Sequence, residues 1–61
     1  MQIGDKVVLS KRVTWDEGEL PEGTEGYVAN LIKSEKEEYV VFNPDKTVEM
    51  YFVKLSSVKK A

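Results

Sequence analysis

Carboxylates are the most abundant reactive groups in this chain, with 11 Asp and Glu against 9 Lys and Arg and no His or Cys. That inventory removes the commonest general base, the thiol nucleophile and the soft metal ligands. The serines at 10, 34, 56 and 57 have no histidine to activate them, and a lysine base would need a burial that so short a chain hardly offers. Two carboxylates can cut a glycosidic bond only across a walled cleft. Here five acids, Asp16, Glu17, Glu19, Glu22 and Glu25, crowd the stretch DEGELPEGTE with no cation among them. That stretch does not have the spacing of an EF-hand loop. The sequence therefore reads as a non-enzyme with no cofactor and no metal site.

What remains is binding. Trp15 stands at the front of the acidic stretch, beside Thr14 and Asp16. A loop tryptophan offers a large rigid area with a donor tip, which suits an interface; it can equally fold back and cap a small core. Tyr39 and Tyr51 carry the same ambiguity, as partner anchors or as a cross-strand aromatic pair that steadies a sheet. The acidic run is either a docking surface or a solvated loop. Trp15, Asp16, Glu17, Glu19, Tyr39 and Tyr51 are thus the candidate partner-binding residues.

The elements that must hold these residues follow from the pattern. With 61 residues the chain is a single domain over 1–61, burying only about 60% of the surface its unfolded form exposes. DKVVLS reads as strand one, about Lys6 to Lys11. Residues 12–25 match neither periodicity and read as a long loop. GYVANLI (26–32), YVVFN (39–43) and TVEMYFV (47–53) read as strands two to four, separated by the polar turn 33–38 and the turn 44–46, where Pro44 and Asp45 are natural occupants. LSS turns, and VKK is a brief fifth strand. Five short strands without a helix predict a small closed barrel, because an open sheet of this size exposes two edges.

Strand faces are read from alternation. Counted from Glu49, it places Val48, Met50 and Phe52 inside and Tyr51 outside. With Val40 and Phe42 inward, Tyr39, Val41 and Tyr51 would form an outward patch.

Three motifs in order carry a resemblance over nearly the whole chain: Gly4, Asp5 and Val7; Gly23, Gly26 and Val28; Val53, Leu55 and Val58. Together they resemble the SH3-like barrel superfamily. The nearest likenesses are the variable chain of ferredoxin–thioredoxin reductase, the small SH3-like subunit of photosystem I, the nitrile hydratase β-subunit barrel and small bacterial and phage proteins. The resemblance implies a five-stranded all-β SH3-like barrel, with a long acidic loop between strands 1 and 2. It also implies an accessory subunit that clips onto a larger enzyme. It places Val53 in the core with Tyr51 on the same parity, against the alternation above; a β-bulge near 51–53 would reconcile the two. Gly23 and Gly26 then supply positive φ or close backbone approach where the loop re-enters the barrel. A phosphate loop is the wrong reading, since this loop is anionic and leads into a strand rather than a helix.

The leading expectation is a protein–protein interaction module that docks a basic partner through the acidic loop and Trp15. The alternative is a nucleic-acid module, because GTEGYV resembles the glycine pattern of KOW and Tudor-like domains and Lys11, Arg12, Lys54, Lys59 and Lys60 offer a basic strip. The net charge of −2 and the acids in the loop weigh against it. A third possibility is weak self-association of an otherwise monomeric chain through its β-prone, nearly uncharged YVVF and MYFV runs. No run approaches the roughly 20 apolar residues of a membrane helix, MQIGDKVVLS lacks the pattern of a signal peptide, and the lack of cysteine suits a reducing cytoplasm.

Overall fold

Seven strands and one 3-10 turn, with no α-helix, make up the computed structural model, which describes residues 1–61. The strands are β1 Lys6–Leu9, β2 Val13–Trp15, β3 Gly18–Leu20, β4 Glu25–Lys33, β5 Glu38–Pro44, β6 Tyr51–Lys54 and β7 Val58–Lys60; the 3-10 turn is Leu55–Ser57. The protein is all-β, as expected. β1 is shorter than expected, because the chain turns at Ser10.

Five strands form one antiparallel sheet in the order β6-β5-β4-β1-β7. The expected closed barrel is not formed, since no ladder joins β6 to β7 and both stay edges. Three residues link them, which span at most roughly 10 Å, so the sheet must curl until its ends approach. The 3-10 turn Leu55–Ser57 carries the chain from one end of the sheet to the other without pairing the two edge strands.

The expected long loop over 12–25 is also corrected. It contains a hairpin in which β2 and β3 pair Val13 with Leu20, Thr14 with Glu19 and Trp15 with Gly18. Asp16 and Glu17 form its two-residue tip. Val13 and Leu20 pack against the main core, so an apolar pair at the base anchors an otherwise polar hairpin. Three-residue strands are too short to register as a period, which is why the pattern hid them.

Val7, Leu9, Val28, Val40, Phe42, Val53 and Val58 make up the core. One face of each main-sheet strand supplies it. In β4 the register shifts between Val28 and Asn30. This bulge puts Leu31 opposite Val40 and sends Asn30 to the outer face opposite Val41.

The largest correction concerns 47–53. Val48, Met50 and Phe52, expected inside, are 94%, 61% and 71% exposed, whereas Val53 is 2% exposed. Only Tyr51–Lys54 is strand. The preceding residues belong to a wide turn in which Lys46 takes a φ of 66°. Asn43 Nδ2 donates to the carbonyls of Thr47 and Glu49 at 3.1 and 2.7 Å, and Thr47 Oγ1 donates to the Pro44 carbonyl at 2.9 Å. Side-chain bonds thus occupy backbone groups that a strand would need. Alternation counted from Glu49 starts outside the strand and arrives on the wrong face. The register implied by the family resemblance, with Val53 inward and Tyr51 on its side, is the one observed.

Candidate functional site

Hairpin β2-β3 brings Trp15 against β6. Its ring centroid lies 4.9 Å from that of Tyr51, with the planes tilted by 33°. Behind the indole is Gly18, its cross-strand partner, where even a Cβ would come within 3.4 Å of Cζ2. The indole thus touches the bare backbone of Gly18 and the phenol ring of Tyr51. It remains 39% exposed and is not among the side chains packed against the core, which it reaches through Tyr51.

The indole forms one wall of a groove of about 270 Å³ lined by Val13, Thr14, Trp15, Met50, Tyr51 and Phe52. The volume is below the roughly 300–1,000 Å³ of small-molecule sites. Two wider hollows, of about 420 and 490 Å³, flank the turn at Ser34–Glu37, and each has a single hydrophobic lining residue.

Asp16 and Glu17 stand at the hairpin tip, exposed and without an ion-pair partner. Glu19 is turned back to Arg12, at 3.8 Å and exposed, a pair worth little to stability. No group of three acids converges at metal-binding distance.

Tyr51 shares this groove, but Tyr39 does not. The expected Tyr39–Tyr51 neighbourhood on one outward patch is overturned by the register, which pairs Tyr39 with Lys54 and Tyr51 with Phe42. Tyr39 lies on the outer face, where its hydroxyl donates to Glu37 Oε2 at 2.8 Å, and Lys54 Nζ sits 3.5 Å from Glu37 Oε1. That hydrogen bond, and then the nearby carboxylate charge, push the Tyr39 hydroxyl above its ordinary value. The same bond, followed by the charge of Lys54, holds Glu37 below its own. Val41 does face outward, yet it is buried. Its outer-face neighbour on β6 is Phe52, in the place expected for Tyr51.

The sequence pattern misses four groove residues: Val13 and Thr14, read as part of a loop, and Met50 and Phe52, assigned to the core. The signal that could have exposed Met50 and Phe52 was Asn43-Pro44-Asp45-Lys46-Thr47, whose turn-forming side chains lengthen the connection beyond three residues.

Tyr51 donates its hydroxyl to the Glu49 carboxylate. This bond, then desolvation, then the Glu49 charge raise its pKa. A hydroxyl harder to ionise in the folded chain than in the unfolded one favours folding while protonated. That contribution is complete below the ordinary tyrosine value of about 10 and is lost as pH rises through the higher folded value. Tyrosinate quenches a stacked indole, so emission from Trp15, the single tryptophan, should fall with a midpoint above about 10. Glu49→Gln should move the midpoint down, and Tyr51→Phe should shrink the transition to the part contributed by Tyr27 and Tyr39. A midpoint unmoved by Glu49→Gln would disprove the coupling.

Of the five residues of the expected basic strip, Arg12, Lys54 and Lys60 each lie within 4 Å of an acid, namely Glu19, Glu37 and Asp5. These are exposed contacts, and Lys11 and Lys59 have no such neighbour. No helix is long and apolar enough to cross a membrane. No family model, curated protein or solved structure matches the chain.

Proposed function

We propose that this chain is a non-catalytic protein–protein interaction module, an accessory subunit in character, that docks a basic partner surface through hairpin β2-β3 and the groove beside it. The observation that carries this reading is a half-exposed Trp15 stacked on Tyr51, next to exposed Met50 and Phe52 and below two unpaired acids. Rigid aromatic surface beside apolar side chains is the composition of an interface centre, and exposed acids at its rim steer cations. Asp16, Glu17, Trp15 and Tyr51 serve this site directly, Glu19 lies on the same hairpin beside Arg12, and Tyr39 belongs to the opposite face.

The SH3-like reading of the fold is part of the proposal. It is supported by where the motif residues fall: Gly4 and Gly23 take φ of 93° and 89°, Gly26 meets backbone closely, and Val7, Val28, Val53 and Val58 are core. A cytoplasmic setting fits a chain without cysteine. The net charge of −2 and the acids of the hairpin weigh against the nucleic-acid alternative.

The test is affinity capture from the source cell, identifying both proteins and nucleic acids. The captured protein's affinity is then measured calorimetrically. The triple variant Trp15→Ala, Glu17→Lys, Glu19→Lys should lose at least about 30-fold in affinity, a hot-spot-sized effect. Wild-type affinity should fall as salt screens the charges. Retention of full affinity by the variant, or capture of nucleic acid alone with a steep salt slope, would reject the reading.

A further inference from the structure

The groove has a second property besides its aromatic wall: it runs between two strands that each have an unused edge. β6 pairs only with β5, and β2 only with β3. Among the backbone hydrogen bonds made outside the strand ladders, none uses an N–H or C=O of residues 13–15 or 50–54. All of β2 lines the groove and β3 does not, while Met50, Tyr51 and Phe52 line the other side. The free edges of β2 and β6 therefore both border it.

An exposed edge is normally blunted by charge, proline, a bulge or a cover. Met50, Tyr51 and Phe52 carry neither charge nor proline. Lys54, the cation at the strand end, is engaged with Glu37. The edge is short but open, and its side chains alternate between Tyr51, stacked under Trp15, and Phe52 on the outer face.

We propose that the groove binds an extended basic peptide segment of a partner as an added strand on β6. Backbone hydrogen bonds would supply affinity and alternate side chains specificity. One set of peptide side chains would pack against Trp15 and Tyr51, and the other would lie toward Phe52. The peptide is basic because the tip of the hairpin beside the groove carries Asp16 and Glu17, both exposed and without an ion-pair partner, while Arg12 lies 3.8 Å from Glu19. Charge also decides against a second copy of this chain. A two-fold contact sets a patch against itself, which would bring one acidic hairpin toward another in a chain of net charge −2. The inference rests on the interaction-module reading and adds the form of the ligand.

The probe is acetyl-Lys-Val-Lys-Val-Lys-Val-amide, titrated against the full chain while Trp15 emission and hydrogen exchange of the 50–54 amides are followed. Two further peptides are N-methylated, one at every lysine and one at every valine. An added strand offers the amides of alternate residues to its neighbour, so the two methylated peptides must differ. One should lose at least about tenfold in affinity, while the other stays within about threefold of the parent. Protection should appear at the β6 amides that the parent covers, and the peptide with glutamate in place of lysine should bind more weakly. Equal binding by both methylated peptides would overturn strand addition while leaving the interaction-module reading to its capture test. So would no change in Trp15 emission with any basic peptide. Two other results would also overturn it. One is a peptide-free, concentration-dependent dimer that protects the same amides, which assigns the edge to a second copy. The other is tighter occupation of the groove by a single-stranded oligonucleotide than by the peptide.

Discussion

Gly26→Ala is expected to remove most of the chain's folding stability. A Cβ at this position would sit 2.4 Å from the Asn43 carbonyl oxygen and 2.8 and 2.9 Å from the Phe42 ring. The ring could shift only into a core that is already closed around it, since Phe42 is fully buried. The carbonyl is worse placed to move, because Asn43 and Pro44 pair with Tyr27 and Gly26 in the β4-β5 ladder. Overpacking alone costs about 1–3 kcal/mol, and displacing a paired backbone segment adds to that. A domain of 61 residues has a total stability of roughly 3–9 kcal/mol, so the substitution consumes most of it. Urea unfolding monitored by Trp15 emission measures this directly. Adding Phe42→Leu should recover little, because the carbonyl clash remains. A Gly26→Ala chain with a wild-type urea midpoint would show that β4 and β5 do not approach as described.

The second large effect is a contrast between two adjacent residues. Val53→Asp should abolish folding, and Phe52→Asp should not. Val53 belongs to the core opposite Val40. A carboxylate there has no partner and must either stay charged without water or take up a proton at several kcal/mol of cost. Phe52 is mostly solvated already, and replacing it should change stability by less than about 1 kcal/mol. The same replacement removes apolar surface from the groove, but the added negative charge favours a basic ligand. Phe52→Ser isolates the apolar loss and should weaken partner binding alone. Circular dichroism and urea midpoints of the aspartate variants decide the register. Strict alternation from Glu49 requires the reverse outcome, so the result discriminates between the two registers of β6.

Much of the frame is legible in the residues alone. The all-β class and the turns before Glu38 and at 55–57 follow from composition and turn residues, whereas alternation leaves the inward face of 39–43 open and the connection after Pro44 runs well past the expected 44–46 turn. Gly23 and Gly26 are each used in one of the two ways glycine allows: a φ of 89° in open space at Gly23 and close backbone approach at Gly26. Of the candidate site, Trp15, Asp16, Glu17 and Tyr51 fall together at one end of the molecule. Tyr39 does not join them, and Met50 and Phe52, read as core, complete the groove.

The misplaced residues share one cause. Local patterning reports which side chains alternate, and it needs a known starting point on a strand. Asn43 and Thr47 remove that starting point by binding backbone groups of residues 44–49, so β6 begins only at Tyr51. The hairpin over 13–20 is hidden for a related reason: its stability comes from Val13 and Leu20 reaching a core built by distant strands, not from its own short runs. Whether the sheet closes is likewise set by pairing between chain ends rather than by any segment's propensity. Hydrophobic identity, glycine and turn chemistry are written locally and can be read locally. Strand register, edge exposure and the meeting of Trp15 with Tyr51 depend on contacts between residues far apart in the chain, and those exist only once the core has formed.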